Sequence, residues 1–169
     1  MSRYVVRDAT LDDAPLLAAA ERAVAAIPGR LVSLPHELKD AHFAARIAAL
    51  ARDPHGRYLV AEHDGVIVGH AQLDPMGLHR TRHVVRLTLV VHPGREGRGA
   101  GRALLEALVA WARATPGIDK VELLARATNE PALALYRKLG FEEEGRFRGR
   151  VKLDDGSAID DVAMALFVR

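Results

Sequence analysis

The sequence predicts an α/β protein (α+β in the broad sense) built on one mixed sheet, and three observations carry that reading. Segments of strand and helix period follow one another in the order β-α-α-β-β-β-α-β-α-β-β. Asp64-Gly65 joins two runs of strand character, a strong two-residue hairpin signal. An apolar, β-branched run from Val84 to Val91 stops at Pro93, and a glycine-rich loop leads from it into a helix-period pattern. At 169 residues the chain reads as a single domain, 1–169, with no internal repeat and no low-complexity linker.

Each element has its own warrant. Tyr4 to Arg7 is a short strand. Thr10, followed by Asp12 and Asp13, is an N-cap with first-turn acids, and it opens a helix from about Leu11 to Ala26. Pro28-Gly29 ends that helix, so the Ala-rich 17–26 stretch is helix and not linker. After a loop, Pro35-His36 leads into a second helix from about Glu37 to Arg52, with Phe43, Ile47 and Leu50 as its buried stripe. Asp53-Pro54-His55-Gly56 is a turn. Tyr58 to His63 and Val66 to Leu73 are the hairpin strands, and Asp74 to His83 is loop. The strand from Val84 to Val91 is mostly buried, broken only by Arg86 and Thr88.

In the next helix Ala100, Ala103, Leu104, Ala107, Leu108 and Trp111 share one face, while Arg102, Glu106 and Arg113 take the other. It stops at Thr115-Pro116-Gly117. Val121 to Ala125 is a buried strand. Glu130 to Leu139 is a short helix with Pro131 in its first turn, where proline is tolerated. Phe141 to Leu153 is a bent strand with Gly145 and Gly149 as kinks. Asp154-Asp155-Gly156-Ser157 turns the chain, and Ile159 to Val168 closes the sheet.

Composition narrows the function classes. Nearly half the residues are hydrophobic, enough for a real core, yet no apolar run approaches the ~20 residues of a membrane span. Ser2-Arg3-Tyr4-Val5-Val6-Arg7-Asp8 lacks the apolar centre of a signal peptide. Cysteine is absent, which excludes disulfides, thiolate metal sites and a cysteine acyl-enzyme. The expectation is a cytoplasmic protein without a membrane partner or a metal. A net charge of +2 implies no nucleic-acid partner. Charge is uneven, however. Between Pro75 and Arg95 lie Arg80, Arg82, Arg86 and Arg95, three histidines and no acid. That stretch is either a solvated loop and strand edge or, in part, a surface for phosphates. Glu142-Glu143-Glu144 and Asp154-Asp155 to Asp160-Asp161 make the C-terminal part acidic; they face water or attract a cationic amine.

The loop Pro93-Gly94-Arg95-Glu96-Gly97-Arg98-Gly99-Ala100-Gly101-Arg102 is the most informative stretch. Its glycines allow positive φ and close backbone approach. The helix that follows leaves its first amides unpaired at a partly positive end, which suits a phosphate. Arg95, Arg98 and Arg102 add full charges. The loop is therefore a pyrophosphate cradle, or else a tight turn that lets helix and strand pack closely. A P-loop needs Lys-Ser/Thr after its last glycine, where Arg102-Ala103 stands. A dinucleotide fold places its glycines after the first strand with an acid about twenty residues on, unlike here.

Glu96-Gly97-Arg98-Gly99-Ala100-Gly101 resembles the Gln/Arg-x-x-Gly-x-Gly/Ala signature of the GNAT family of N-acetyltransferases, which bind acetyl-CoA, except that Glu96 replaces Gln or Arg. Arg95 can supply the missing donor. Downstream, Asn129 through Ala132 and Tyr136 to Gly140-Phe141 resembles that family's Asn-x-x-Ala-x-x-x-Tyr-x-x-x-Gly-Phe segment. The likeness extends over nearly the whole chain and is nearest the bacterial branch that acetylates amino acids, polyamines and ribosomal-protein N-termini. It implies a mostly antiparallel twisted sheet of about seven strands, with about four helices on its two faces. It also implies a small primary amine as acceptor, and a homodimer.

The resemblance assigns the cofactor-binding roles to Leu89, Val90 and Val91, whose backbone pairs with the pantetheine arm, and to Arg95, Glu96, Gly97, Arg98, Gly99, Ala100, Gly101 and Arg102 around the pyrophosphate. The Val90 N–H is placed to meet the thioester oxygen. Asn129 contacts the pantetheine or a water, or caps its helix, or both. Tyr136 donates a proton to the coenzyme A sulfur, or is an aromatic packing residue. The general base is open. Arg86 stands where the family often has an acid, and Glu62, His70, His83, Glu122, Asp160 or a water relay are the candidates. Two rival readings are an acetyl-CoA sensor or inactive relative, and a protein N-terminal acetyltransferase.

Overall fold

The structure, a computed structural model, describes residues 4–169. Ser2 and Arg3, part of the segment read as lacking a signal peptide, lie outside the described residues. Seven strands form one sheet: β1 Val5–Asp8, β2 Arg57–His63, β3 Val66–Pro75, β4 Val84–Val91, β5 Lys120–Arg126, β6 Glu142–Lys152 and β7 Ala158–Phe167. The helices are α1 Ala14–Ala25, α2 Asp40–Arg52, α3 Ala100–Ala114 and α4 Glu130–Lys138. The sheet order is β1-β2-β3-β4-β5-β7-β6. Every pairing is antiparallel except β4 with β5. That one parallel step follows from α3, which carries the chain across the sheet between them.

The β2–β3 hairpin closes as its sequence requires, with Asp64 at φ 51° and Gly65 at φ 74°, both in the left-handed region of a type I′ turn. The bends in β6 also fall at the glycines: its register against β7 shifts between Glu143 and Gly145 and again between Phe147 and Val151.

Alternation along the strands separates two cores. Leu59, Ala61, Ala71, Leu73, Val85 and Leu87 face α3 and α4, together with Leu104, Leu105, Leu108, Leu133 and Tyr136. Tyr58 and Val60 face α1 and α2, with Leu17, Ala18, Phe43, Ile47 and Leu50. The predicted stripe of α2 is therefore buried, but that helix starts at Asp40 behind a separate turn over Pro35–Glu37. Likewise the first helix is entered through a turn over Leu11–Asp13. There the Asp13 carboxylate, gripped by Arg7 at 2.8 Å, accepts the Thr10 N–H at 2.7 Å. The buried face of α3 is wider than its predicted stripe. It adds Gly101, Leu105, Val109 and Ala112, because the helix is sunk into the sheet, while Trp111 lies half-buried under the Arg57 guanidinium at 5.5 Å.

Strand β4 pairs with β5 only through Val84–Lys120, Val85–Val121 and Arg86–Glu122. On its other side it pairs with β3 along nearly its whole length, Val85 to Val91. Beyond Arg86 the two parallel strands part, and a gap opens beside Leu87 to Val91.

Candidate active site

The gap ends at the start of α3, and the glycine loop is shaped to leave that helix end open. Gly94, Gly97 and Gly99 sit at φ 76°, 70° and 99°. Gly99 is the residue capping α3, and its carbonyl accepts the Ala103 N–H at 3.0 Å. The amides of Ala100, Gly101 and Arg102 form no backbone hydrogen bond among the described residues. They are the unpaired donors of a helix N-terminus, at its partly positive end. Gly101 sits in close packing: a Cβ there would stand 3.2 Å from Val91 Cγ2, 3.5 Å from Leu89 Cδ2 and 3.7 Å from Leu135 Cδ2. The same contacts place α4 beside the end of β4. A turn for close packing and a cradle of free amides are thus one structure.

The arginines divide their work. Arg95 and Arg98 line a small cleft with Tyr4, His63 and Val68, and Tyr4 fixes the loop by donating its hydroxyl to the Arg98 carbonyl at 2.6 Å. Arg102 pairs with Glu106 at 2.7 Å on the exposed side of α3. Glu96 is exposed. Of the upstream basic stretch, Arg82 is held by Asp53 at 2.9 Å, well away from the cradle in sequence and partner. Leu89, Val90 and Val91 form the end of β4 that borders the gap.

Replacing Gly99 by valine forces a β-branched residue into the left-handed region, at a strain of about 1–3 kcal/mol. The free loop relieves that strain by moving, so the expected result is weaker coenzyme binding, by at most the roughly 1–2 factors of ten the strain is worth, measured by calorimetry. Unchanged affinity would detach Gly99 from binding.

Asn129 caps α4, its Oδ1 accepting the Ala132 N–H at 3.4 Å. About two turns further on, Tyr136 is buried against Phe141, ring centroids 5.7 Å apart. Its hydroxyl forms no hydrogen bond among the described residues, and burial pushes its pKa up to about 12. The phenol is therefore protonated throughout the neutral range, with its hydrogen uncommitted.

On the α1/α2 face of the sheet, a cavity of about 150 Å³ is lined by Glu21, His42, Phe43, Arg46, Tyr58, His70, Gln72 and Thr88. Of the candidate bases only His70 reaches it. Glu62 accepts from Arg7 at 2.8 Å, Glu122 from Lys120 at 2.9 Å, and Asp160 from the Gly149 N–H at 2.8 Å. His83 is exposed ahead of β4. Where the central strand carries Arg86, the acids stand on the strands to either side, Asp74 on β3 and Glu122 on β5. Glu21 was not singled out from the sequence. Its signal is positional, since Ala14, Leu17, Ala18 and Ala25 are buried on α1 and residue 21 falls on the same stripe. Among the described residues no cluster of three or more His, Asp or Glu could hold a metal, and no helix is long and apolar enough to cross a membrane.

The model of the acetyltransferase (GNAT) family matches residues 24–141. The chain is 33% identical over 116 residues to the L-amino acid N-acetyltransferase AaaT of Escherichia coli, covering 69% of this chain and 71% of that one. It is 36% identical to the N-alpha-acetyltransferase RimI of Mycobacterium tuberculosis, over 62% of this chain and 64% of the relative. Among solved structures, a ribosomal-protein-alanine N-acetyltransferase from Brucella melitensis superimposes with a TM-score of 0.86. It has 28% identity and covers 96% of this chain and 99% of that one. The family match spans the hairpin, the gap, the cradle and the tyrosine helix. This chain belongs to the GNAT family and is an acyltransferase, an N-acetyltransferase with acetyl-CoA as its donor.

Proposed function

We propose that residues 1–169 act as one domain that transfers an acetyl group to the primary amine of a small molecule, amino-acid-like or polyamine-like, by direct attack. The observation that supports this acceptor class is the cavity of about 150 Å³, which places the Glu21 carboxylate and the His70 ring beside Phe43 and Tyr58. An ammonium group on an apolar stem matches that lining.

The residues fit the donor. The free amides of Ala100, Gly101 and Arg102, with Arg95 and Arg98, would hold the diphosphate, and the backbone of Leu89 to Val91 would pair with the pantetheine arm along the gap. Bound acetyl-CoA supplies an activated thioester. The unbroken β3–β4 register turns the Val90 N–H toward the His70 carbonyl and away from the gap, so the gap-side N–H of Leu89 or Val91, rather than that of Val90, would face the thioester oxygen as negative charge develops there. Tyr136, uncommitted in the ground state, would protonate the departing sulfur. Asn129 would both cap α4 and meet the arm. No acyl-enzyme is formed.

The relatives' names point to two acceptor classes, free amino acids and protein N-termini. A screen of thiol release from acetyl-CoA with amino acids, polyamines and N-terminal peptides separates them. Turnover is expected with a free amine small enough for the cavity. Turnover with peptides alone would move the acceptor to the protein class, and coenzyme binding with no turnover would favour the sensor reading.

A further inference from the structure

We propose that Glu21 and His70 together are the general base of the transfer, with His92 as a positioning residue that fixes the tautomer of His70. The inference rests on the acetyl-transfer reading and supplies the base which that reading lacks. Three separate elements bring the groups together: α1 carries Glu21, β3 carries His70, and His92 follows β4 directly. Both rings are buried, His70 at 3% and His92 at 6% exposure. His70 Nε2 lies 3.0 Å from Glu21 Oε2, His70 Nδ1 lies 3.0 Å from His92 Nε2, and His92 Nδ1 lies 3.2 Å from the Ile67 carbonyl.

The hydrogens along this chain can be placed by elimination. A carbonyl only accepts, so His92 Nδ1 carries a hydrogen. Burial, reinforced by the neighbouring His70, lowers the pKa of His92 to about 4, so the ring is neutral at working pH. Its Nε2 is then a bare acceptor, and His70 Nδ1 must donate to it. The remaining nitrogen of His70 faces a carboxylate oxygen. Two lone pairs at that distance repel, so the contact closes with one proton between Nε2 and Oε2. The second oxygen of Glu21 forms no hydrogen bond among the described residues, and with Glu21 lining the cavity it is the acceptor the pair offers there.

Position favours catalysis over a purely structural role. His70 is the antiparallel partner of Val90, within the stretch of β4 from Leu89 to Val91 whose gap-side backbone is the proposed contact of the pantetheine arm. The surroundings leave the pair without competition. From β2, Tyr58 stacks on His70 at 6.0 Å, its phenol kept neutral first by burial and then by the Glu21 charge. From α2, Phe43 meets the ring edge-on at 6.3 Å, and His42 and Arg46 line the mouth. On β3, Asp74 is occupied by Arg46 at 2.5 Å and by Gln72 at 2.6 Å. Among the described residues Glu21 is the one carboxylate lining the cavity.

The step balances as follows. The acceptor arrives as an ammonium, and one N–H proton passes to the Glu21–His70 pair, leaving a neutral amine. Nitrogen bonds to the thioester carbon, the carbon–sulfur bond breaks, and sulfur takes the Tyr136 proton. The second proton lost by nitrogen restores Tyr136 by way of solvent, and the pair returns its own to water.

The test is the pH profile of kcat/KM for the full chain, with His70→Gln and Glu21→Gln, using an alkyl amine of pKa near 10. At about pH 7 each variant should lose roughly 10²–10³-fold, with the deficit shrinking about tenfold per pH unit until little remains above the amine's own pKa. Calorimetric binding of coenzyme A and the melting temperature check folding, and Glu21→Gln serves if His70→Gln does not fold. A deficit equal at neutral and high pH, or no deficit, overturns the proposal while leaving the transfer reading standing. A wild-type chain that binds coenzyme A but acetylates no amine overturns both.

Discussion

A Tyr136→Phe chain should turn over about 10²–10⁴ times more slowly than the wild type while binding coenzyme A with nearly the same affinity. The expectation comes from what the hydroxyl lacks: the ring is buried, but the hydroxyl makes no hydrogen bond among the described residues and is not sealed from solvent, so deletion costs the fold little. With its pKa near 12, the phenol stays protonated across the working range. Its proton passes to sulfur as the carbon–sulfur bond opens and negative charge develops there. It also follows that activity shows no falling limb from Tyr136 up to about pH 10, because the group is raised and loses its proton only above that range. Turnover within a few-fold of wild type would reduce Tyr136 to a packing residue.

The largest effect on stability is expected at Asp161. The side chain is 1% exposed and pairs with Arg126, itself 11% exposed, at the register point where β5 meets β7. Its second oxygen has no well-aligned donor, with Arg150 Nε 3.4 Å away. Asp161→Asn keeps the shape and removes the charge, stranding the Arg126 guanidinium in a place that water barely reaches. Removing one member of such a pair costs about 3–5 kcal/mol, which for a domain of this size lowers the melting temperature by roughly 6–20 °C. Scanning calorimetry reads it. A shift below about 2 °C would mean that Arg126 finds water or another acceptor.

Much of the fold was legible because its signals are local. Asp64-Gly65 dictates a turn by its own backbone preferences, Pro131 and Asn129 mark the start of α4, and Gly145 and Gly149 mark the bends of β6. The cradle was legible for the same reason, since an open helix end and three positive-φ glycines are properties of one short segment. What stayed hidden depends on distant packing. The added buried positions of α3 reflect how deeply the helix sinks into the sheet, which its own periodicity does not encode. The Glu21–His70–His92 chain joins residues 49 and 22 positions apart, and each alone reads as an ordinary side chain on a helix or strand. Asp160 is one of several candidate bases in the sequence, and only the β6–β7 pairing shows it accepting the Gly149 N–H.

The parting of β4 from β5 leaves the middle of the sheet half-zipped, with main-chain groups unmatched on a strand that elsewhere is interior. Such a rim invites a polypeptide to lie along it, a hazard normally confined to the outside of a sheet. A nucleotide thioester threaded there would mask the rim and add its binding free energy to the fold, about 2.7 kcal/mol at a concentration one hundred times its dissociation constant. The persistence of this protein in a cell would then rise and fall with the supply of the molecule it consumes.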